Sequence, residues 1–331
     1  MRRPAAAGLL ALIAGAALAA AAVAGGAGRA DRVELGRQLF YDADLSRDGT
    51  MACATCHEQR RGFTDGNATH PGVTGAPARR RVMRLANLGH LASYTRGDPR
   101  LGRLEAQALV PLNGDHPVEM GARPGLIAAR LGADACYRRA FARAFPGEPG
   151  GVTDAKAIRA LAAFERTLVS ADTAWDRARR GDPAALSDAA RRGEALFRGP
   201  RLACAGCHAG PDFTDAAAPA ARRDPSIAFH AIGLPASATD QGLGEITGRA
   251  ADGGRFRTPS LRNVALSAPY LHDGSVPTLE AAIRAHTRAS PAVAGLTTAD
   301  LADLVAFLNA LTDQTLIADP RLALPKHQCG R

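Results

Sequence analysis

A mainly α fold in two similar halves is predicted by three observations. Gly36-Arg37-Gln38-Leu39-Phe40 returns as Gly193-Glu194-Ala195-Leu196-Phe197, and Phe63-Thr64-Asp65 returns as Phe213-Thr214-Asp215. Such self-similarity marks a unit used twice. Leu301, Leu304, Val305, Leu308 and Leu311 recur at helical spacing after Thr298, a residue suited to cap a helix. No run alternates apolar and polar residues as half-buried strands do.

The elements follow in order. Arg2-Arg3, an apolar run from Ala5 to Ala24 and small residues through Ala30 have the three parts of an export signal, so residues 1–30 are expected to be removed and the mature chain to be periplasmic. No other stretch is apolar enough to span a bilayer. A first domain is expected over 31–185 and a second over 186–331. They should meet near 181–187, where Gly181-Asp182-Pro183 breaks a long helix. That helix is expected to start near Thr153-Asp154 and to turn Ile158, Leu161, Leu168 and Trp175 inward. Frequent Gly and Pro between Thr214 and Pro277 predict long connecting loops. In a chain of 331 residues, 46% hydrophobic and 22% charged, neither disorder nor an integral membrane bundle fits. The net charge of +9 is spread as isolated arginines with no basic block, so no nucleic-acid role is expected.

Four of the six cysteines fall in Cys53-Ala54-Thr55-Cys56-His57 and Cys204-Ala205-Gly206-Cys207-His208. C-x-x-C-H is the attachment signature of c-type haem: two thiols add to the porphyrin vinyl groups, and the following His meets the iron. Two zinc half-sites would not require His after both pairs. The halves are therefore read as two cytochrome c-like haem domains, each with a Leu-Phe helix packed on its porphyrin. Cys136 and Cys329 could pair, but their spacing does not establish it.

A haem with six ligands moves electrons, whereas an open iron can activate an oxidant. His286 lies on the apolar stripe of a segment that Thr278 caps, which suits a sixth ligand, with His272 in a turn as its competitor. For peroxide cleavage a proton must move from the inner to the outer oxygen. A carboxylate with a neighbouring amide can move it, and Glu119 and Gln107 supply that pair.

These motifs, with Arg257 to Gly274 and the loop Gly62 to Gly66, resemble the bacterial dihaem cytochrome c peroxidase and MauG family over nearly the whole exported length. The stretch around Asp98 to Gly121 looks most like the MbnH-type branch associated with methanobactin. The resemblance implies that the first haem reacts with peroxide and the second transfers electrons. It also implies that Gln107, Pro111 and Glu119 form the distal set, and that His286 stands where peroxidases carry an axial Met and MauG-like proteins a Tyr. The resemblance also implies a calcium ion between the haems, held by the Asn87 side chain and the backbone carbonyls of Ser267 and Pro269, although a turn or cap is an equal reading of Asn87. Two departures stand out. Arg96 occupies the place of the family's inter-haem Trp, with Tyr94 the nearest aromatic. His70 follows the first motif but is read as an exposed loop residue rather than a displaceable ligand.

The expected function is an exported peroxidase-type oxidoreductase with two covalent c-type haems, reducing hydrogen peroxide with electrons from a small redox protein. The alternatives are a MauG-like enzyme that oxidises a residue of a partner protein, and a dihaem electron carrier without enzymatic activity.

Overall fold

The computed structural model describes residues 28–232 and 239–330, so the export signal lies almost wholly outside the described residues. The principal helices are α1 over 28–40, α2 Leu104–Asn113, α3 Leu126–Ala133, α4 Ala135–Ala144, α5 Asp154–Glu165, α6 Ala174–Arg179, α7 Asp188–Arg198, α8 Leu279–Arg284, α9 Thr298–Asn309 and α10 Gln314–Ala318. Short 3-10 turns and loops join them. The described strands are β1 (Phe229–His230) and β2 (Phe256–Arg257), paired antiparallel.

Each half is built on one close helix crossing. A Cβ on Gly36 would sit 1.9 Å from the Ala160 carbonyl oxygen and 2.9 Å from the Phe164 Cβ. A Cβ on Gly193 would sit 1.9 Å from the Asp303 oxygen and 2.8 Å from the Phe307 Cβ. Only glycine lets α1 lie this close to α5, and α7 to α9. One turn later on each helix comes the repeated Phe. Phe40 packs on Phe164 at 5.2 Å and Phe63 at 6.0 Å, and Phe197 packs on Phe307 at 5.2 Å and Phe213 at 6.1 Å.

Two apolar cores result. The first runs from Leu35 to Leu168 and also takes in Ala216, Ala221 and Ala228, and Leu316, Leu322 and Cys329 near the end of the chain; the second draws its members from the rest of the stretch Trp175 to Leu311. The tail is laced to the first half by Tyr41, whose hydroxyl donates to the Leu322 carbonyl at 2.8 Å. A Cys136–Cys329 disulfide, with Cα atoms 5.4 Å apart, closes the link and settles the pairing that spacing left open.

The single long helix expected from Thr153 to Gly181 is instead two. Thr153 caps α5 as expected, but the helix stops at Glu165. Beyond it the Asn87 side chain captures the Ser170 N–H at 2.6 Å, and the Asp313 carboxylate captures the Ala171 and Asp172 N–H groups. Those donors are lost to a continuing helix. Thr173 then starts α6 with a capping box to Asp176, and Trp175 packs in the second core. A smaller correction concerns α9, whose cap is Thr297, with Asp300 completing the box, rather than Thr298.

Candidate functional site

Both C-x-x-C-H motifs sit on single turns, Cys53–Cys56 and Cys204–Gly206, against the repeated Phe residues. The His57 Nδ1 lies 2.9 Å from the Phe63 carbonyl, and the His208 Nδ1 lies 3.1 Å from the Phe213 carbonyl. Donation of Nδ1–H to these oxygens leaves each Nε2 free to bind iron. The carbonyls are aimed by Phe63 and Phe213, both in left-handed backbone, at φ 63° and 51°. Burial pulls both imidazoles down, His208 to about 4, so they are neutral at pH 7. The four motif cysteines are unpaired and partly buried.

The second motif opens on a cavity of about 500 Å³ whose lining includes Cys204, Cys207, His208 and His286. Thr278 caps α8, and His286 lies just past the helix end with Nδ1 2.8 Å from the Ala282 carbonyl. Its ring centroid is 6.4 Å from that of His208. Two imidazoles sharing one iron through Nε2 at roughly 2.0 Å would have centroids about 6.3 Å apart. His272 lines the same cavity but stacks on Phe256 at 4.0 Å.

Six arginines line this cavity; Arg201 and Arg262 pair with Asp300 and Asp176, which leaves Arg81, Arg84, Arg96 and Arg257. Among the described residues none of them pairs with a carboxylate, and the Nε atoms of Arg81, Arg84 and Arg96 have no partner. Burial lowers Arg84 and Arg257 to about 10 and Arg96 to about 9. An unpaired cation in protein interior is costly, so the cluster calls for anions. A haem, with an iron for the two imidazoles and carboxylates for the guanidiniums, fits this donor set. Sequence reasoning noted Arg96 only as a departure and gave the other three no role, yet a signal existed. Arg81 precedes Asn87 by six residues, as Arg257 precedes Asn263, and the Thr64 and Thr214 hydroxyls each donate at 2.8 Å to the carbonyl following the arginine.

On the first motif's side, Gln107 and Pro111 are one turn apart on α2, hence on one face. The chain returns when the Met120 N–H donates to the Pro111 carbonyl at 2.9 Å, which sets Glu119 beside them. The Val73 N–H donates to the Glu119 carbonyl at 2.8 Å, bringing in the loop that carries His70. Burial raises the Glu119 carboxyl, and His70 opposes the rise. The Cys56 thiol is pushed up to about 12 by burial and by the nearby Glu119 and Asp65 carboxylates, which places Glu119 close to the first attachment site. His70 is half-buried rather than exposed, because the loop is pinned to Glu119.

Of the oxygens expected to hold calcium, the Asn87 side chain is engaged within the protein. The Asn87 amide accepts from Ser170 and donates to Asp212 at 2.6 Å, and its counterpart Asn263 likewise accepts from the Asp313 N–H at 2.8 Å. Both are left-handed, at φ 60° and 59°, so Asn87 is half of a duplicated structural device. Arg84 donates to the Ser267 hydroxyl, which brings a guanidinium beside the Ser267–Pro269 loop. Cys207, Asp215 and His230 cluster at metal-ligand spacing, but the haem motif claims Cys207.

Glu165, at the end of α5, was missed because it reads as an ordinary helix-end charge. Burial pushes it up to about 8, and its Oε2 has no partner among the described residues. The folded state therefore holds a proton that an unfolded chain, titrating near 4.5, releases. Stability should fall as pH rises from about 5 to 8, by roughly 3–4 kcal/mol. Glu165→Gln should flatten that slope; equal slopes for variant and parent in thermal unfolding at pH 5 and pH 8 would contradict the assignment.

Residues 30–184 match the family described as di-haem cytochrome c peroxidase, and residues 255–291 match the RoxA-like, cytochrome c-like family. The chain is 36% identical over 309 residues to the methylamine utilization protein MauG of Methylorubrum extorquens, covering 89% of this chain and 81% of that one. The chain belongs to the di-haem cytochrome c peroxidase and MauG family. Within this di-haem family it is also 33% identical to the cytochrome-c peroxidase IdrP1 of Denitromonas iodatirespirans, over 88% of this chain and 85% of that one. A solved MauG-like protein associated with microbial copper homeostasis is 40% identical, with a TM-score of 0.83, and covers 90% of this chain and 93% of its own. Like its di-haem relatives, this chain is a peroxidase-type oxidoreductase with c-type haem. Among the described residues no helix is long and apolar enough to cross a membrane.

Proposed function

We propose that the half bearing Cys53, Cys56 and His57 holds the haem that meets hydrogen peroxide, and that the half bearing Cys204, Cys207 and His208 holds an electron-transfer haem closed by His286. The observation that carries the division is the 6.4 Å spacing of the His208 and His286 rings, set against the Glu119, Gln107 and Pro111 group on the other side. Hydrogen peroxide takes two electrons and two protons to give two waters. Haem iron supplies the electron chemistry when bound. The Glu119 carboxyl takes the proton from the inner peroxide oxygen and returns it to the outer one, the leaving oxygen. Gln107 orients the peroxide through its side-chain amide, and Pro111 shapes the wall. Neutral His57 and His208 are held in one tautomer by their Nδ1 bonds.

The electrons come from a small redox protein. The Cys136–Cys329 disulfide is in keeping with an oxidising compartment, and with export by residues 1–30. A second reading is favoured by the likeness to MauG and the MauG-like structure. In it, the oxidising equivalents are withdrawn from a residue of a partner protein. A calcium ion between the halves would take the Asn87 side-chain oxygen and the Ser267 and Pro269 carbonyls, and would have to displace the Ser170 N–H from Asn87.

The test is low-temperature electron paramagnetic resonance of the ferric protein before and after stoichiometric peroxide. One high-spin and one low-spin haem, with the high-spin signal lost on peroxide, is the expected result. Two low-spin haems that ignore peroxide even after partial reduction would make this an electron carrier.

A further inference from the structure

Four guanidiniums without a carboxylate partner among the described residues outnumber the two carboxylates of one haem, and Arg96 is the least accounted-for of them. Among the described residues, the one hydrogen bond of its guanidinium runs from Nη2 to the Arg81 carbonyl at 3.3 Å. Its guanidinium feels Arg257, Arg81, Arg84 and Arg80, all cations. Arg80 is neutralised by Asp240, at 2.7 Å, whereas Arg96 has no such partner among the described residues. The six residues 233–238 contain no acid that could serve. Arg96 keeps some accessible surface, yet protein surrounds it closely enough to lower its guanidinium to about 9. A side chain lining an internal cavity satisfies both observations.

The cavity lies where the halves meet. Its walls include Ala86, Leu88 and Leu91 of the first core together with Val264, Leu304 and Leu308 of the second. Arg81 and Arg257 are paired by the duplication, one per half; Arg96 has no counterpart of that kind. It is held in place from the backbone, by the Arg257 N–H donating to its carbonyl at 2.9 Å and the Arg257 Nε donating to the Thr95 carbonyl at 3.0 Å.

We propose that Arg96 is a potential-setting residue: its fixed positive charge, held against a haem carboxylate at the junction of the halves, raises the reduction potential of the second haem. This rests on that haem sitting between His208 and His286. Reduction adds one negative charge to the site, and a guanidinium in a poorly polarisable interior stabilises that added charge. Two imidazoles pull the potential the other way, since they stabilise ferric iron relative to a thioether. Arg96 offsets part of that pull and keeps the second haem reducible by a donor. The role differs from that of an aromatic relay, because it acts on the energy of the electron rather than on its path.

The experiment is a spectroelectrochemical titration of the holoprotein, following the low-spin signal, for the parent, Arg96→Gln and Arg96→Lys. R96Q should shift the reduction equilibrium toward ferric iron by tenfold or more, about 59 mV downward for a one-electron couple. R96K, which keeps the charge, should recover at least half of that shift. An unmoved R96Q midpoint overturns the proposal, as does an R96K midpoint that falls as far as R96Q, because loss of packing alone would then explain both. If R96Q takes up no second haem, Arg84→Gln serves in its place, with a downward shift expected and an unchanged midpoint overturning the proposal. A parent protein with no low-spin haem would instead sink the reading of His286 beneath it.

Discussion

Glu119→Gln should lower peroxide turnover by about 10²- to 10⁴-fold while both haems stay attached. The amide matches the carboxyl in size but cannot take a proton from one peroxide oxygen and pass it to the other. Burial raises the proton affinity of the Glu119 carboxyl, which suits a group that must hold a proton briefly and release it. The substitution should be structurally quiet. The loop around Glu119 is tied by main-chain bonds, Val73 N–H to the Glu119 carbonyl and Met120 N–H to the Pro111 carbonyl, and neither uses the side chain. Steady-state peroxide consumption, with haem content measured on the same samples, separates a chemical loss from a loss of cofactor. Turnover within a few-fold of the parent would remove Glu119 from the proton path and leave His70, the half-buried neighbour that opposes its rise, as the next group to replace.

How much of this was legible in the sequence depended on how local each feature is. The two C-x-x-C-H motifs, the Leu-Phe helices and the α9 stripe are each contained in a few residues, and the structure has them as expected. The break between α5 and α6 was not legible, because it is made by Asn87 and Asp313, which lie far along the chain from Ser170 to Asp172. The tail's return to the first core was hidden for the same reason, and spacing alone could not settle the Cys136–Cys329 pairing. The arginine cluster was hidden differently. In a chain rich in scattered arginine, the buried ones look like the solvated ones until their partners are counted. Only the six-residue offset of Arg81 from Asn87, repeated in Arg257 and Asn263, separates two of them from the background. Arg96 could be noticed only as a departure from an expected aromatic, which says what is missing and nothing about what the replacement does.

The strongest spectroscopic effect should come from His286→Ala, which should convert the second haem from low-spin to high-spin while the first is unchanged. The His286 ring lies 6.4 Å from that of His208, the spacing of two imidazoles on one iron, and its Nδ1 is spent on the Ala282 carbonyl, which leaves Nε2 for a metal. If His286 is the ligand proposed above, removing it deletes that ligand and one hydrogen bond, the latter on the order of 1 kcal/mol. Since Thr278 still caps α8 and Ala282 stays buried, the pocket should persist and accept imidazole from solution, restoring the low-spin signal. His286→Met should instead stay low-spin with a raised potential, as a thioether favours ferrous iron. His272→Ala is the necessary comparison, because His272 lines the same cavity while stacked on Phe256. A low-spin signal that survives H286A but disappears in H272A would mean that the turn swings in to ligate the iron. The two-imidazole spacing would then be a packing coincidence.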